Sequence, residues 1–134
     1  MSKQQNPHLS DEQKDVLFNS ATEAPFSGAF LKNKDSGDYV CANCGTLLFD
    51  SVTKFDSGSG WPSFYDVIHQ DAVKLVEDAS HGMNRVEVQC GNCGAHMGHV
   101  FNDGPKDKTG MRFCVNSLSL DFKPNPNVDR EQKT

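Results

Sequence analysis

Apolar and polar residues alternate along several short stretches of the chain, a pattern that is typical of β-strands. The pattern predicts its clearest strand over residues 111–122, and the alternation over residues 85–90 is that of a strand with one buried face. Three more stretches are predicted to be strands: residues 26–31, 38–40 and 97–101. Strands at such short spacing predict a mainly β fold.

A short helix is predicted near the start of the chain, because Ser10 and Gln13 form a helix-start signal. The Ser10 side chain can accept a hydrogen bond from the backbone of Gln13, and the Gln13 side chain can accept one from the backbone of Ser10. The helix should end before Pro25.

The length of the chain, 134 residues, is typical of one domain. We expect a flexible N-terminus over residues 1–9 and a folded domain over residues 10–123. The last stretch, residues 124–134, is polar and contains Pro124 and Pro126, which predicts a disordered tail.

Acidic residues outnumber basic ones by 18 to 13, which gives a net charge of −5. An acidic chain without a basic cluster is poorly suited to nucleic acid or to an anionic membrane surface. No apolar run approaches the roughly 18 residues that span a bilayer, and the first residues lack the apolar segment of a secretion signal. We therefore expect a cytoplasmic protein, whose thiols stay reduced.

Four of the five cysteines occur in two matched Cys-x-x-Cys-Gly motifs, the only pattern that repeats in the chain. Two such pairs, far apart in sequence, are typical of a tetrahedral zinc site, and four protein ligands leave no open position for catalysis. We therefore predict one structural Zn²⁺. The other interpretation is four ordinary buried or disulfide-bonded cysteines, which would leave the repeated glycine unexplained. The predicted ligands are Cys41, Cys44, Cys90 and Cys93.

The fifth cysteine, Cys114, lies in a predicted strand. Side chains alternate between the faces of a strand, so Cys114 should share one face with Arg112 and Asn116. A guanidinium beside the sulfur favours the thiolate, which is the reactive form. The alternative is an inert core cysteine, the usual fate of a lone one.

His96 and His99 are three residues apart, so a regular strand would place them on opposite faces. A β-bulge at Gly98 would bring both to one site, where histidines near a thiol can activate it or donate a proton. Alternatively, one of the two is structural. Trp61, the only tryptophan, lies in a Gly- and Ser-rich loop that could present the indole as an aromatic wall, although a core position is the commoner fate.

Five stretches of the sequence together resemble the type B methionine sulfoxide reductases. They are CANCG at 41–45, SGSGWPSF at 57–64, SHGM at 80–83, CGNCGAHMGHVFNDGP at 90–105 and RFCVNSLSLDF at 112–122. The resemblance implies a mainly β, barrel-like domain of two antiparallel sheets with a short N-terminal helix. It places the zinc at one end, away from the active site.

The resemblance also implies a reaction, the reduction of methionine-R-sulfoxide, free or in proteins, to methionine. Cys114 would attack the sulfoxide sulfur and become a sulfenic acid, which thioredoxin, glutaredoxin or a small thiol would then reduce. Seven positions match active-site positions of the family: Cys114, His96, His99 and Asn116 as catalytic residues, Trp61 at the substrate methyl, and Arg112 and Asp103 nearby.

Ser59 marks a departure from many family members, which carry a second redox cysteine at this position. With four cysteines assigned to zinc, no cysteine of the chain is left to reduce the sulfenic acid. The sequence leaves two explanations open: a natural one-cysteine member of the family, or a serine introduced in place of cysteine. The first predicts recycling of Cys114 by an external thiol.

Two other functions compete with the reductase. A non-catalytic zinc-binding interaction module would account for the four-cysteine site and the fold class, but it leaves Cys114, the two histidines and Trp61 without a role. A zinc hydrolase would need an open coordination position, which a set of four cysteine ligands does not provide.

Overall fold

Nine β-strands and one α-helix form within residues 8–79 and 84–124, the residues that the computed structural model describes. The predicted flexible N-terminus over residues 1–9, the SHGM motif at 80–83 and the tail over residues 124–134 lie wholly or almost wholly outside these residues. In chain order the elements are α1 (Asp11–Asn19), β1 (Gly37–Cys41), β2 (Leu47–Asp50), β3 (Lys54–Phe55), β4 (Ser63–Phe64), β5 (Val73–Asp78), β6 (Arg85–Cys90), β7 (His96–Phe101), β8 (Arg112–Val115) and β9 (Leu120–Pro124).

The strands form two sheets in which every pairing is antiparallel. The smaller sheet has the order β2-β1-β9, and the larger has the order β3-β4-β8-β7-β6-β5. The predicted fold class, a mainly β domain of two antiparallel sheets with a short N-terminal helix, is confirmed.

The helix begins as the sequence predicts. Ser10 Oγ accepts a hydrogen bond from Gln13 N at 3.1 Å, and Gln13 Oε1 accepts one from Ser10 N at 3.0 Å. The helix ends before Ser20, whose left-handed φ of 58° breaks the helical path. Val16 and Leu17 are buried and anchor the helix to the rest of the domain.

Aromatic rings fill the core between the two sheets. Phe49 of β2 stacks on Phe64 of β4 with ring centroids 4.3 Å apart, and Tyr39 of β1 meets Phe64 edge-on at 5.0 Å. All three residues are fully buried. Truncating a buried aromatic ring to alanine typically costs about 3–5 kcal/mol of stability. The contacts between these rings therefore contribute strongly to the packing of one sheet against the other.

The strand predicted over residues 26–31 is wrong, because this stretch consists of turns. Phe26 has a positive φ of 66°, and Leu31 N donates back to Gly28 O. Gly28 itself lies so close to Ser117 that a Cβ would clash with the serine side chain. The apolar residues of this stretch belong to an irregular segment and not to a strand.

The strand predicted over residues 111–122 is two strands in different sheets. β8 ends at Val115, a short 3₁₀ turn covers Ser117–Ser119, and β9 begins at Leu120. Buried polar side chains cause the break: Ser119 Oγ donates to His96 O at 2.8 Å, and Asn116 Nδ2 donates to Met97 O at 3.0 Å. These bonds redirect the chain from the larger sheet to the smaller one.

The register of the larger sheet aligns four residues in one row across neighbouring strands. Ser63 of β4 lies opposite Cys114 of β8, Cys114 lies opposite His99 of β7, and His99 lies opposite Glu87 of β6. Directly opposed residues point to the same face of a sheet. The fold therefore collects hydroxyl, thiol, imidazole and carboxylate groups on one face.

No helix in the described part of the chain is long and apolar enough to cross a membrane.

Candidate active site and metal centre

Cys114 is held by a cation from its own strand. Arg112, two residues earlier and therefore on the same face, donates from Nη1 to Cys114 Sγ at 2.7 Å. The guanidinium brings a positive charge to the sulfur of a residue that is only 9% exposed, so negative charge on that sulfur has a direct partner. The predicted proximity of Arg112 and Cys114 is present in the structure.

Asp103 holds the same guanidinium from the other side. Arg112 Nε donates to Asp103 Oδ1 at 2.8 Å, and Arg112 Nη2 donates to Asp103 Oδ2 at 3.2 Å. This pairing lowers the pKa of Asp103 below its ordinary value and raises that of Arg112. The guanidinium also lies over the ring of Phe101, 4.4 Å from its centroid. Arg112 is thus fixed in position to serve Cys114.

Three serine hydroxyls line the other side of Cys114. Ser59 Oγ lies 3.3 Å from Cys114 Sγ, and Ser63 Oγ lies 3.6 Å from it. Ser57 Oγ bridges this pair, at 2.8 Å from Ser59 Oγ and 2.7 Å from Ser63 Oγ. Position 59 is therefore in direct reach of the thiol.

His96 and His99 reach the same face of the sheet because β7 contains a bulge. Val88 pairs with Gly98 and Gln89 pairs with His96, so Met97 has no partner in β6. Because of this extra residue, the two imidazole rings lie on the same face of the sheet, with their centroids 5.6 Å apart. The predicted bulge is present, with Met97 rather than Gly98 as the inserted residue.

Each histidine is bound by a carboxylate. His96 Nδ1 lies 2.7 Å from Glu87 Oε2, and His99 Nε2 lies 2.8 Å from Asp78 Oδ2. A carboxylate at this distance fixes the orientation of an imidazole ring. His99 lies directly opposite Cys114 in the pairing of β7 with β8.

Asn116 and Trp61 are both tied to the backbone of Glu23. Asn116 Oδ1 accepts a hydrogen bond from Glu23 N at 3.1 Å, and the indole Nε1 of Trp61 donates to Glu23 O at 3.0 Å. Trp61 is partly exposed, whereas Asn116 is buried. The partial exposure of the indole leaves a surface that a ligand could contact. The buried amide of Asn116 fixes the position of the chain just after β8.

The four remaining cysteines converge at one point, as predicted. Their sulfur atoms all lie within 4.8 Å of one another, with 3.7 Å between those of Cys41 and Cys93 and 3.6 Å between those of Cys44 and Cys90. Four thiolates around Zn²⁺, with Zn–S bonds of about 2.3 Å, place their sulfurs about 3.8 Å apart. The cluster can therefore hold a tetrahedral metal ion.

Hydrogen bonds between the four sulfurs couple the ionisation of the cysteines in this cluster. Hydrogen bonding to the sulfurs of Cys90 and Cys93 raises the pKa of Cys41 far above its ordinary value, and the Cys41 thiol in turn lowers the pKa of Cys93. Four neighbouring sulfurs cannot all ionise unless a positive charge is added, and a divalent metal ion supplies it.

Each Cys-x-x-Cys-Gly motif is the turn of a hairpin. Gly45 N donates to Cys41 O and Gly94 N donates to Cys90 O, both at 2.9 Å. The two glycines have φ of 82° and 79°, a left-handed conformation that residues with a Cβ rarely adopt. The repeated glycine is therefore required by the turn that brings each pair of sulfurs together.

Comparison with known proteins identifies the family of the chain. The family model described as the SelR domain matches residues 9–124. A peptide methionine sulfoxide reductase MsrB of Methanosarcina barkeri is 59% identical over 115 residues, which are 86% of this chain and 80% of that protein. The chain belongs to the SelR domain family, that of the MsrB reductases.

Two further MsrB proteins show the same likeness. That of Methanosarcina mazei is 54% identical over 125 residues, covering 93% of this chain and 89% of the relative. That of Leptospira interrogans is 54% identical over 115 residues, covering 86% and 87%. The family expected from the motifs is thus confirmed.

Three acidic residues of the MsrB site were not predicted from the sequence. Glu87 lies on the polar face of the alternating stretch over residues 85–90, and this periodicity could have suggested it. Asp78 reaches His99 only through the register of β5 with β6 and β6 with β7, which the sequence does not reveal. Glu23 lies in an irregular segment, where no pattern indicates a contact with Trp61 or Asn116.

Proposed function

We propose that this chain is a peptide-methionine (R)-S-oxide reductase, which reduces methionine-R-sulfoxide, free or in proteins, to methionine. One observation carries the proposal. The Cys114 sulfur is hydrogen-bonded by Arg112 at 2.7 Å on a sheet face that also presents the two carboxylate-bound histidines, in a chain that belongs to the MsrB family.

The proposed reaction moves one oxygen atom from substrate to enzyme. The Cys114 sulfur attacks the sulfoxide sulfur while His96 or His99 donates a proton to the sulfoxide oxygen. The oxygen then forms a bond to the Cys114 sulfur, while its bond to the substrate sulfur and the new sulfur–sulfur bond both break. Methionine leaves, and the oxygen stays on Cys114. One thiol and one sulfoxide thereby give one sulfenic acid and one thioether.

The surrounding residues have separate roles in this scheme. Arg112 stabilises negative charge on the sulfur, Asp103 fixes Arg112, and Asn116 positions the end of β8. Trp61 provides the surface against which the substrate methyl packs. Glu87 and Asp78 hold the imidazoles in position beside the sulfur.

Cys114 is recycled by an external thiol. Ser59 occupies the position 3.3 Å from the sulfur, and the other four cysteines belong to the metal cluster. One thiol condenses with the sulfenic acid to a mixed disulfide and water, and a second thiol releases Cys114 and a disulfide. Thioredoxin, glutaredoxin and small thiols such as glutathione are suitable reductants.

Two variants test the recycling. Ser59→Cys places a thiol where the hydroxyl now meets Cys114, so we expect an intramolecular disulfide after one turnover. Ser57→Cys is the matched control, because among residues 8–79 and 84–124 the Ser57 hydroxyl bonds its neighbours Ser59 and Ser63 and not Cys114. Free thiols are counted after one turnover without reductant. An intramolecular disulfide in the unmodified chain would contradict recycling from outside.

The metal of the cysteine cluster is proposed to be one Zn²⁺ per chain with a structural role. The support is the donor set, four sulfurs at distances that suit tetrahedral thiolate coordination. A bound Zn²⁺ would balance the charge of the thiolates and join the β1–β2 hairpin to the β6–β7 hairpin. We place this action in the cytoplasm, where reducing conditions keep thiols available to bind metal.

An assay that separates the two epimers of methionine sulfoxide tests the proposed function. The R epimer should be reduced, and the S epimer should not, with thioredoxin, glutaredoxin or dithiothreitol supplied separately. Free methionine sulfoxide and an oxidised peptide are compared as substrates. No turnover of the R epimer with any reductant would overturn the proposal and favour a non-catalytic zinc-binding module.

A further inference from the structure

Glu23, in the irregular segment between α1 and β1, makes three hydrogen bonds to distant parts of the chain. Its backbone N donates to Asn116 Oδ1 at 3.1 Å, its backbone O accepts from Trp61 Nε1 at 3.0 Å, and its side-chain Oε1 accepts from Leu118 N at 3.0 Å. The residue is only 7% exposed. Glu23 therefore joins the loop of Trp61 to the chain that follows Cys114.

The contacts of Glu23 determine the placement of the indole. Tryptophan has a single polar hydrogen, and its bond to the Glu23 carbonyl fixes the rotation of the ring. A second tie lies beside it, where Phe26 N donates to Gly60 O at 2.7 Å. Gly60 is the residue between Ser59, which touches Cys114, and Trp61. The segment over residues 23–26 thus supports the loop from its back.

The carboxylate anchors this support to the strand that carries Cys114. Its Oε1 binds the backbone of Leu118, four residues beyond Cys114, and so fixes the Glu23 backbone relative to β8. Its Oε2 has no hydrogen-bond partner within residues 8–79 and 84–124. Burying a carboxylate that is only half satisfied is costly.

We propose that Glu23 is a positioning residue that sets the distance and angle of the Trp61 indole relative to the Cys114 sulfur. The part of this proposal that concerns substrate affinity rests on the proposed reductase function. Glu23 does not touch the reacting atoms. Its side chain holds its own backbone in place, and that backbone holds the indole.

The single tryptophan of the chain makes the proposal testable without an activity assay. Fluorescence emission and acrylamide quenching report on Trp61 alone. In Glu23→Ala the indole should become more accessible, with red-shifted emission and stronger quenching. Glu23→Gln keeps an oxygen at the Oε1 position and should stay close to the unmodified protein. Glu12→Ala, which removes an exposed glutamate of α1, is the matched control.

Kinetics separate positioning from a general loss of structure. The loss of one hydrogen-bonded anchor in Glu23→Ala should raise KM for methionine-R-sulfoxide about tenfold and change kcat by less than about twofold. Metal content and the urea midpoint are measured on every variant. Unchanged emission, quenching and KM in Glu23→Ala would overturn the proposal, as would equal falls of kcat in Glu23→Ala and Glu23→Gln.

A measurement on the unmodified protein decides the case in which Glu23→Ala does not fold. The one indole N–H resonance in a ¹⁵N-labelled sample should exchange slowly with solvent, because it is bonded to the Glu23 carbonyl. Fast exchange would overturn the proposal. If the protein reduces no sulfoxide, the reductase function fails, while fluorescence and exchange still decide the role of Glu23.

Discussion

The two sulfur sites of this molecule differ in what surrounds each sulfur. In the cysteine cluster each thiol lies beside other thiols, with sulfur atoms 3.6–3.7 Å apart in the closest pairs, and Thr46 Oγ1 lies 3.1 Å from Cys44 Sγ. At Cys114 the neighbours are a guanidinium at 2.7 Å and hydroxyls at 3.3 and 3.6 Å. The first environment needs a cation to complete it, and the second already contains one.

Under the proposed function, this difference explains how one chain can hold both structural and reactive cysteines. A thiolate coordinated by metal shares its electron pairs and has no position left for a substrate. A sulfur balanced by a side-chain cation keeps an electron pair for attack on an electrophile. Neighbouring residues, rather than the amino acid itself, therefore assign the role of each cysteine.

The largest expected effect separates the two sites completely. Cys114→Ser should lower kcat/KM for methionine-R-sulfoxide by about 10³-fold or more, because the hydroxyl is a far weaker nucleophile than the thiol. Metal content and the thermal midpoint should be unchanged. Metal analysis, melting curves and the assay are compared in one preparation. If Cys114→Ser lost metal together with activity, the two sites would depend on each other, and the contrast between them would be contradicted.

The converse change should act on stability rather than on chemistry. Cys93→Ser removes one of the four metal ligands, so we expect loss of the metal and a fall of about 10 °C or more in Tm. A chelator should have the same effect on the unmodified protein. Melting curves with and without chelator measure it. Full stability after complete metal removal would show that the cluster has no structural role.

An intermediate effect is expected at the guanidinium. Arg112→Lys keeps the charge but cannot reach Cys114 and both oxygens of Asp103 together, because a lysine lacks the fork of donors. We expect a loss of about 10–100-fold in kcat/KM, in the range found when one preorganised donor is removed. Steady-state kinetics measure this loss. If Arg112→Lys were as active as the unmodified protein, only the positive charge of Arg112 would matter and not its geometry.

The smallest effect is expected at Asp103, which acts on Cys114 only through Arg112. Hydrogen bonds from Arg112 lower the pKa of Asp103. As pH falls, this carboxylate therefore stays ionised until the pH is below the usual pKa of an aspartate. Asp103→Asn should therefore lower the rate by about two- to fivefold, with the same pH profile above about pH 5. A rate profile that shifts within that range would contradict this assignment.

The parts of the fold that depend on local signals could be predicted from the sequence. The capping pair of Ser10 and Gln13 and the two cysteine turns are encoded by neighbouring residues. The break after Val115 could not be predicted, because the apolar alternation continues on both sides of it. Only the buried hydrogen bonds of Asn116 and Ser119 to β7 show where the chain changes sheets.

In the candidate site, too, local features could be predicted from the sequence and contacts between distant segments could not. Arg112 and Cys114 share a face because two residues separate them on one strand, and simple alternation predicts this. The histidines meet through a bulge whose inserted residue, Met97, depends on pairing with β6. Asp78 and Glu23 join the site from distant segments, so only the tertiary structure reveals them.

The most direct test of the contrast between the two sulfur sites is a single turnover without reductant. The protein is mixed with one equivalent of methionine-R-sulfoxide and then with a reagent that traps sulfenic acids, and the label is mapped by mass spectrometry. The account predicts one label, on Cys114, in proportion to the methionine formed, with the metal retained. A label or disulfide within the four-cysteine cluster, or release of metal during turnover, would contradict it.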